Sequence, residues 1–383
     1  MSKTRFIRTL ICSFVALFFL SLNLTAQEPT PPPVENDEPV RIFTEEVHLN
    51  LTVRSSYGRS VPRLKADDLL VVESGDPQTI TSIKRVPASV LVLLDTGGNL
   101  NFVKNINKTR LTAKILVENL SDENSLAVVQ AHDRIETVSD WTRDRPSVRD
   151  DLDKKLFGGK RSRFSEAVRE AIRMFADRPL ENRHLVYIGD ALDSVAAPEE
   201  REAALLDLLA ANITVHIIAY NQMEAAQAGR ASRRFQIGEE REAPRLPDHI
   251  LETIIQTLPN GMKDDFRRLM RSERLLILRL DNRQIKAARK KRADWIAAAT
   301  EMEALAEDTG GMFQAPEYVE TMWAFAVEVA RAIDSQYVIT YTPTKPIAER
   351  GGFDIRKVRV STHLDGVRLT SRHKIVIGPE KNQ

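Results

Sequence analysis

Two aspartates stand at points where an apolar run of the chain stops and a polar turn begins. Asp95 follows the apolar residues 90–94, and Asp190 follows residues 185–188 and a glycine. Runs this apolar are typical of strands in a parallel sheet that is covered on both faces. Because open α/β sheets bind ligands at the carboxyl ends of their strands, we expect both carboxylates to face one crevice.

Two further oxygen-bearing side chains accompany the aspartates. Asn99 closes the glycine-rich turn after Asp95, and Ser162 precedes an apolar stripe of helical period. Two carboxylates, an amide oxygen and a hydroxyl are hard ligands of the kind that Mg²⁺ and Ca²⁺ prefer. The sequence thus predicts a site for one of these ions, built from Asp95, Asn99, Ser162 and Asp190. The neighbouring residues expected to contact a bound partner are Thr96, Gly97, Gly98 and Asp193.

An alternative interpretation of the aspartates needs no metal. Carboxylates at strand ends also accept hydrogen bonds from the N-termini of helices. Asp95 and Asp190 would then be caps, and the chain would be a purely structural protein of the cell envelope.

The elements that would position these residues alternate between buried strands and amphipathic helices. The four apolar runs are residues 90–94, 126–129, 185–188 and 213–218. Strands separated by helices form right-handed βαβ units. The predicted fold class is therefore α/β, with a doubly wound, mostly parallel, Rossmann-like sheet.

Both flanks of this region show the two-residue period of antiparallel strands. The alternation covers residues 41–86 and residues 336–377. Each group alone is too small to bury a good core. We therefore expect strands from the two groups to pair in one small added β domain.

Residues 222–300 are charged and helix-prone, and they form a longer segment than a connection requires, which predicts a helical insertion. Its basic run at residues 289–292 favours a solvated helix face over a polyanion-binding patch. Aromatic residues are few and scattered here, and the whole chain has a net charge of only +1. No nucleic-acid partner is expected.

The first residues have the pattern of a signal peptide. Basic residues precede an apolar run at residues 10–22, and the small Ala26 precedes a polar residue. The run is shorter than the about 20 residues that span a bilayer. We expect cleavage after Ala26 and export to the periplasm, the cell surface or the medium, with membrane attachment only if the peptide is retained. Cys12, the only cysteine, would then be removed.

The predicted division of the chain follows from these patterns. Its parts are a signal peptide (1–26), a proline-rich linker (27–40), a β segment (41–86), the first part of the sheet domain (87–221), the insertion (222–300), the last part of the sheet domain (301–335) and a second β segment (336–377).

The turn after residue 94 resembles the metal-ion-dependent adhesion site of von Willebrand factor A domains. That motif is Asp-x-Ser-x-Ser, and Asp95 matches its aspartate, whereas Gly97 and Asn99 stand where the serines belong. Ser162 aligns with the family threonine and Asp190 with its second aspartate. The resemblance implies a Mg²⁺ or Ca²⁺ ion that is completed by an acidic group of a protein partner. Gly97 has no side chain to serve as a ligand, so the ion would bind more weakly than at a complete site.

Further segments resemble a bacterial subgroup of related exported proteins, of the acidobacterial type. These segments are residues 64–77, 305–311 and 336–343, and the resemblance covers about residues 41–220 and 303–377. It implies a von Willebrand factor A-like adhesion or binding module rather than an enzyme, with a partly eroded metal site.

A rival interpretation comes from the tripeptide Asp-Thr-Gly, which occurs at Asp95 and again at Asp308. Two such aspartates sharing a proton would make an aspartic peptidase. That fold needs strands around both loops, whereas residues 297–306 have a helical composition. Thr309 and the two following glycines are better explained as the end of a helix.

Overall fold

The computed structural model describes one compact unit within residues 45–383. The described residues are 46–55, 63–98, 104–233, 241–242, 252–253, 255–256, 258, 262–264, 274–275, 282–345 and 354–377. The predicted signal peptide, the linker and Asn99 lie outside them.

Strands and helices alternate through most of this unit. The strands are β1 (Val47–Ser55), β2 (Leu69–Glu73), β3 (Asp76–Gln78), β4 (Ile80–Lys84), β5 (Ser89–Asp95), β6 (Ser125–Ala131), β7 (Ile135–Thr142), β8 (Arg183–Gly189), β9 (Thr214–Ala219), β10 (Arg241–Glu242), β11 (Arg274–Leu275), β12 (Phe313–Gln314), β13 (Tyr337–Tyr341), β14 (Asp354–Thr362), β15 (Val367–Ser371) and β16 (Lys374–Ile377). The helices are α1 (Ile106–Asn119), α2 (Arg145–Lys155), α3 (Phe164–Met174), α4 (Pro198–Ala210), α5 (Asn221–Arg233), α6 (Asn282–Thr309) and α7 (Val319–Asp334). Within the described ranges, none of the helices has the length and apolar character needed to cross a bilayer.

The main sheet has six strands in the order β12-β9-β8-β5-β6-β7. All neighbours are parallel except β7, which pairs antiparallel with β6 at one edge. The chain moves from β5 to β6 on one side and returns to β8 on the other, so the strand order reverses between β5 and β8. The predicted α/β class is confirmed, and the reversal places a ligand crevice at the carboxyl ends of these two strands.

Helices cover both faces of this sheet because the central strands are apolar on both. In β5, Val90, Val92 and Leu94 pack with α1 and α7, whereas Leu91 and Leu93 pack with α3, α4 and α6. All five side chains are fully buried. Burying an aliphatic side chain of this size contributes about 1.5–3 kcal/mol, so β5 is held firmly where Asp95 follows it.

Two antiparallel sheets of four strands lie beside the parallel sheet, in the orders β15-β1-β13-β4 and β16-β14-β2-β3. Strands from both ends of the described unit meet in each, since β1 pairs with β13 and β2 pairs with β14. Their apolar side chains form a third core cluster. The alternating residues 367–377 form two strands, β15 and β16, which are separated at Arg372. The buried guanidinium of Arg372 donates to Asn212 Oδ1 (2.7 Å).

The predicted insertion and the sheet domain share one helix. α6 runs without interruption from Asn282 to Thr309 and therefore crosses residue 300. Its last turns bury Met302, Leu305 and Ala306 against the parallel sheet. The basic residues 289–292 near its start are exposed, in agreement with a solvated face.

Candidate functional site

Three of the four predicted ion ligands meet at the carboxyl edge of the parallel sheet. Asp95 is the last residue of β5, and Asp190 directly follows β8, its parallel neighbour. Ser162 lies just before α3, and its hydroxyl donates a hydrogen bond to Asp95 Oδ2 (3.1 Å). The fourth predicted ligand, Asn99, lies outside the described residues.

Asp95 is almost completely buried and accepts hydrogen bonds on both carboxylate oxygens. The backbone N–H of Gly97 donates to Oδ1 (3.1 Å). The hydroxyl of Tyr187 donates to Oδ2 (3.1 Å), and it accepts a hydrogen bond from the backbone N–H of Ala191 (2.8 Å). Burial, and after it the charge of Asp95, raises the pKa of Tyr187 well above its ordinary value, so its proton stays in place.

The ammonium of Lys104 also lies in this site, and the sequence did not predict it there. Its Nζ lies 2.7 Å from Asp95 Oδ2 and 3.4 Å from Asp190 Oδ1. The residue is 1% exposed. Lysines are almost never fully buried unless they are paired, and Lys104 is paired with both aspartates. Its backbone N–H donates to Oε1 of Glu224 in α5 (2.7 Å), and the next residue, Asn105, caps α1.

The charges in this cluster stabilise one another. Burial raises the pKa of Asp95 to about 6, against the opposing effect of Lys104, so its carboxyl group is ionised at neutral pH. Burial alone would lower the pKa of Lys104, but Asp190 and Asp95 raise it above its usual value. The centre of the site at neutral pH is therefore an ammonium bound between two strand-end aspartates.

The turn at Gly97 has no room for a side chain. A Cβ at this position would collide with the backbone carbonyl of Arg161. The loop containing Arg161 is held there because Gly159 N–H donates to the backbone oxygen of Thr96 (3.0 Å). The space that the first serine hydroxyl of the adhesion motif would need is thus occupied by the loop before α3.

Gly189 has a similar role at the end of β8. A Cβ there would lie 2.6 Å from the Cβ of Asp95. The absence of a side chain lets β8 and the Asp95 carboxylate pack together, which brings Asp190 to the same edge.

The described residues do not fit the Mg²⁺ or Ca²⁺ ion that the sequence predicts. Mg²⁺ requires oxygen ligands at about 2.0–2.1 Å in near-octahedral geometry. The ammonium of Lys104 occupies the space between Asp95 and Asp190, and Gly97 offers no hydroxyl. Across the described ranges, no group of three or more His, Cys, Asp or Glu side chains is arranged to hold a metal ion.

The residues expected to contact a partner differ in exposure. Thr96 is fully buried and Gly97 is also buried. Gly98 is half-buried. Asp193 accepts hydrogen bonds from the backbone N–H groups of Ser165 (2.8 Å) and Val195 (3.0 Å), which makes it a cap for α3 rather than a free acid.

The two Asp-Thr-Gly tripeptides lie at opposite edges of the parallel sheet. Asp95 ends β5, whereas Thr309 Oγ1 accepts a hydrogen bond from Val215 N–H at the beginning of β9 (3.1 Å). Asp308 pairs with Lys374 (2.7 Å). The two aspartates therefore cannot share a proton, and the peptidase interpretation is excluded.

Comparison with known proteins gives similarity at the level of structure. The scan against family models finds no match, and neither does the search of curated proteins. Similar solved structures include a conserved hypothetical protein, BatB, from Bacteroides thetaiotaomicron, with 13% identity and a TM-score of 0.36 over 64% of this chain and 98% of that one. A von Willebrand factor type A protein from Catenulispora acidiphila has 11% identity and a TM-score of 0.39 over 89% of this chain and 76% of that one. Manganese-loaded TRAP protein from Plasmodium vivax has 10% identity and a TM-score of 0.37 over 80% and 98%.

Identities of this size concern the fold alone. The doubly wound sheet and the two aspartates at the strand reversal are what the sequence motifs predict, whereas the antiparallel edge strand β7 is an addition that they did not predict. The described residues form a doubly wound α/β sheet, and solved structures similar to it include von Willebrand factor A proteins.

Proposed function

We propose that the chain is an exported module that binds a protein partner on the carboxyl-end face of its parallel sheet. The observation that carries this proposal is the convergence of Asp95, Ser162 and Asp190 where the strand order reverses. Open α/β sheets bind their ligands at this position. The fixed geometry of the cluster serves to hold the surrounding loops in place for the partner.

The contact surface is the loop between α2 and α3. Phe157, Lys160 and Arg161 are exposed there, and Phe157 is 59% exposed despite its size. The backbone N–H of Phe157 donates to Oε1 of Gln130 (3.0 Å), and those of Lys160 and Arg161 donate to Asp133 (3.0–3.2 Å). The backbone is thereby fixed while the side chains face solvent.

The charge of this loop indicates the chemistry of the partner. Lys160 and Arg161 are cationic, and an acidic surface next to an apolar patch would complement them together with Phe157. Lys104 is buried and therefore cannot take an acidic group from the partner. Recognition of the acid thus falls to the loop.

The proposal is tested by capture from the envelope fraction of the source cells. The mature chain from Gln27 onward is immobilised beside two charge-reversed variants. The first is Lys160→Glu with Arg161→Glu on the loop, and the second is Arg289→Glu with Lys290→Glu on the exposed face of α6. Wild type and the α6 variant should retain the same acidic protein, and the loop variant should lose it.

A chelator is added in a parallel arm and is expected to leave capture unchanged. Equal capture by all three proteins would contradict the binding face. Loss of capture with the chelator alone would show that a metal-dependent surface does the binding instead.

A further inference from the structure

We propose that the ammonium of Lys104 is the permanent cation of this site, so that the chain holds no divalent ion between its strand-end aspartates. The position of Nζ carries the inference. It lies 2.7 Å from Asp95 Oδ2 and 3.4 Å from Asp190 Oδ1, the two groups that would have to share an ion. An ion entering this space would first have to displace Lys104.

Burial of Lys104 and of both aspartates opposes displacement of the ammonium. The side chains of Lys104, Asp95 and Asp190 are 1%, 2% and 9% exposed. Removing one partner of a buried ion pair leaves an uncompensated charge in a poorly solvated place. Lys104 is also fixed through its backbone, whose N–H donates to Oε1 of the buried Glu224 (2.7 Å).

A second position of the expected ion shell is filled by the chain as well. The carbonyl of Arg161 occupies the space in which a side chain at Gly97 would stand. A small movement of Gly97 therefore cannot make room for the hydroxyl that the motif has at this position. The Lys104 ammonium fills the position in which an ion would lie between the aspartates, and the Arg161 carbonyl fills the position of the first serine side chain.

The inference concerns the same cluster as the proposed function, but it is tested on the protein alone. If the Mn²⁺ titration contradicted the assignment of Lys104, the proposed binding face would still stand. If the capture experiment failed, the assignment of Lys104 would still stand. If Lys104 is the cation, partner binding is independent of the Mg²⁺ and Ca²⁺ concentrations outside the cell.

The experiment is a Mn²⁺ titration followed by the electron paramagnetic resonance of the free ion at neutral pH. Three proteins are compared, namely wild type, Lys104→Ala and Lys114→Ala. Lys114 is the matched control because it is also a buried lysine, and it pairs with a single aspartate, Asp153, away from the site (3.0 Å). Wild type and Lys114→Ala should bind no Mn²⁺ up to about 1 mM, the weak end of protein Ca²⁺ sites. Lys104→Ala should gain one site, because Asp95, Asp190 and Ser162 are then free to accept an ion with water.

One Mn²⁺ bound by wild type would overturn the inference. A folded Lys104→Ala that binds none would also overturn it, because Lys104 would not be what excludes the ion. If that variant does not fold, Lys104→Ser takes its place, and the thermal midpoint of wild type is measured with Mg²⁺ and with chelator. Equal midpoints support the inference, and a midpoint raised by Mg²⁺ contradicts it.

Discussion

At the scale of single residues, the backbone carbonyl of Arg161 determines what position 97 tolerates. Replacing Gly97 by serine would restore the first serine of the family motif, but its Cβ would collide with that carbonyl. Overpacking of this kind costs about 1–3 kcal/mol. We expect Gly97→Ser to lower the free energy of unfolding in urea by about this amount and to bind no Mn²⁺. A variant that is as stable as wild type and binds the ion would show that the loop yields easily.

The pairing of Lys104 with Asp95 predicts strong energetic coupling between the two positions. Breaking a buried ion pair on one side costs about 3–5 kcal/mol, whereas replacing both partners by neutral groups costs much less. We expect Asp95→Asn and Lys104→Met each to be strongly destabilising.

The double variant tests this coupling. It should be more stable than the sum of the two single effects indicates, by up to about 3 kcal/mol in a double-mutant cycle of urea unfolding. Additive effects would mean that Lys104 and Asp95 do not interact in solution. Lys114→Met paired with Asp95→Asn supplies the additive reference, since Lys114 pairs with Asp153 elsewhere.

The sequence predicted where Asp95, Ser162 and Asp190 would meet, because strand ends and turn chemistry are local features. It did not predict Lys104, because a lysine between a glycine-rich turn and a helix is ordinarily exposed. Its burial depends on Glu224, which is far away in the chain. The one local indication is that the motif lacks a ligand at Gly97 while a cationic side chain follows in the same segment.

At the scale of elements, β13 follows α7 of the α/β part directly and belongs to one of the antiparallel sheets. It lies between β1 and β4, and Ile339 at its centre is fully buried. Hydrogen bonds join the two regions, for example from Asn50 Nδ2 to Thr214 Oγ1 (3.0 Å). We expect Ile339→Ala to lower the free energy of unfolding by about 2–5 kcal/mol, through lost burial and the cavity left behind.

The three tryptophans make the coupling measurable, because Trp141, Trp295 and Trp323 all belong to the α/β part. In Ile339→Ala the unfolding midpoint from tryptophan fluorescence should fall as far as that from far-UV circular dichroism. Ile355→Ala is the control, since Ile355 on β14 is 54% exposed and should have little effect. A fluorescence midpoint that stays at the wild-type value would mean that the antiparallel sheets unfold separately.

Elements with a strong apolar pattern were predicted, and those without one were not. β5 and β8 are apolar over residues 90–94 and 185–188 and are buried as expected. β7 was missed because it is a half-exposed edge strand with polar residues such as Glu136 and Asp140. α2 was missed for a similar reason, since it buries only a few of its side chains.

At the scale of the whole molecule, a buried histidine pair makes stability depend on pH. His184 and His216 stack near the beginnings of β8 and β9, with Nδ1 of the first 3.1 Å from Nε2 of the second. Burial lowers the pKa of His216 to about 3 and, with the neighbouring His216, lowers that of His184 well below 6.5. Both rings are neutral in the folded protein.

The sign of the effect follows from proton binding. Between pH 6.5 and about 3 the unfolded chain binds more protons at these histidines than the folded chain. The free energy of unfolding should therefore fall as the pH is lowered through this window. We expect the decline in urea unfolding from about pH 7.5 to about pH 4.5 to be smaller in His216→Gln than in wild type. Subtracting the pH profile of one protein from that of the other removes the contributions of the other titrating groups, including Asp95. Identical slopes of unfolding free energy against pH would contradict the assignment to His216.

The doubly wound, mostly parallel character of the sheet was predictable because strands separated by helices form right-handed βαβ units. The chemistry of its ligand edge was not, because it depends on which distant groups are pressed together when the layers close. Asp190, Arg161 and Glu224 come from three separate parts of the chain, and each fixes one part of the environment of Lys104 or Gly97.

The central claim is that a lysine, rather than a divalent ion, joins the two strand-end aspartates. The most direct test is a crystal structure of the wild-type mature protein grown with Mn²⁺ at neutral pH, with anomalous data collected at the manganese edge. We expect Lys104 Nζ between Asp95 and Asp190, with no manganese peak at either carboxylate. A manganese peak bound to both aspartates, with Lys104 turned away, would contradict it.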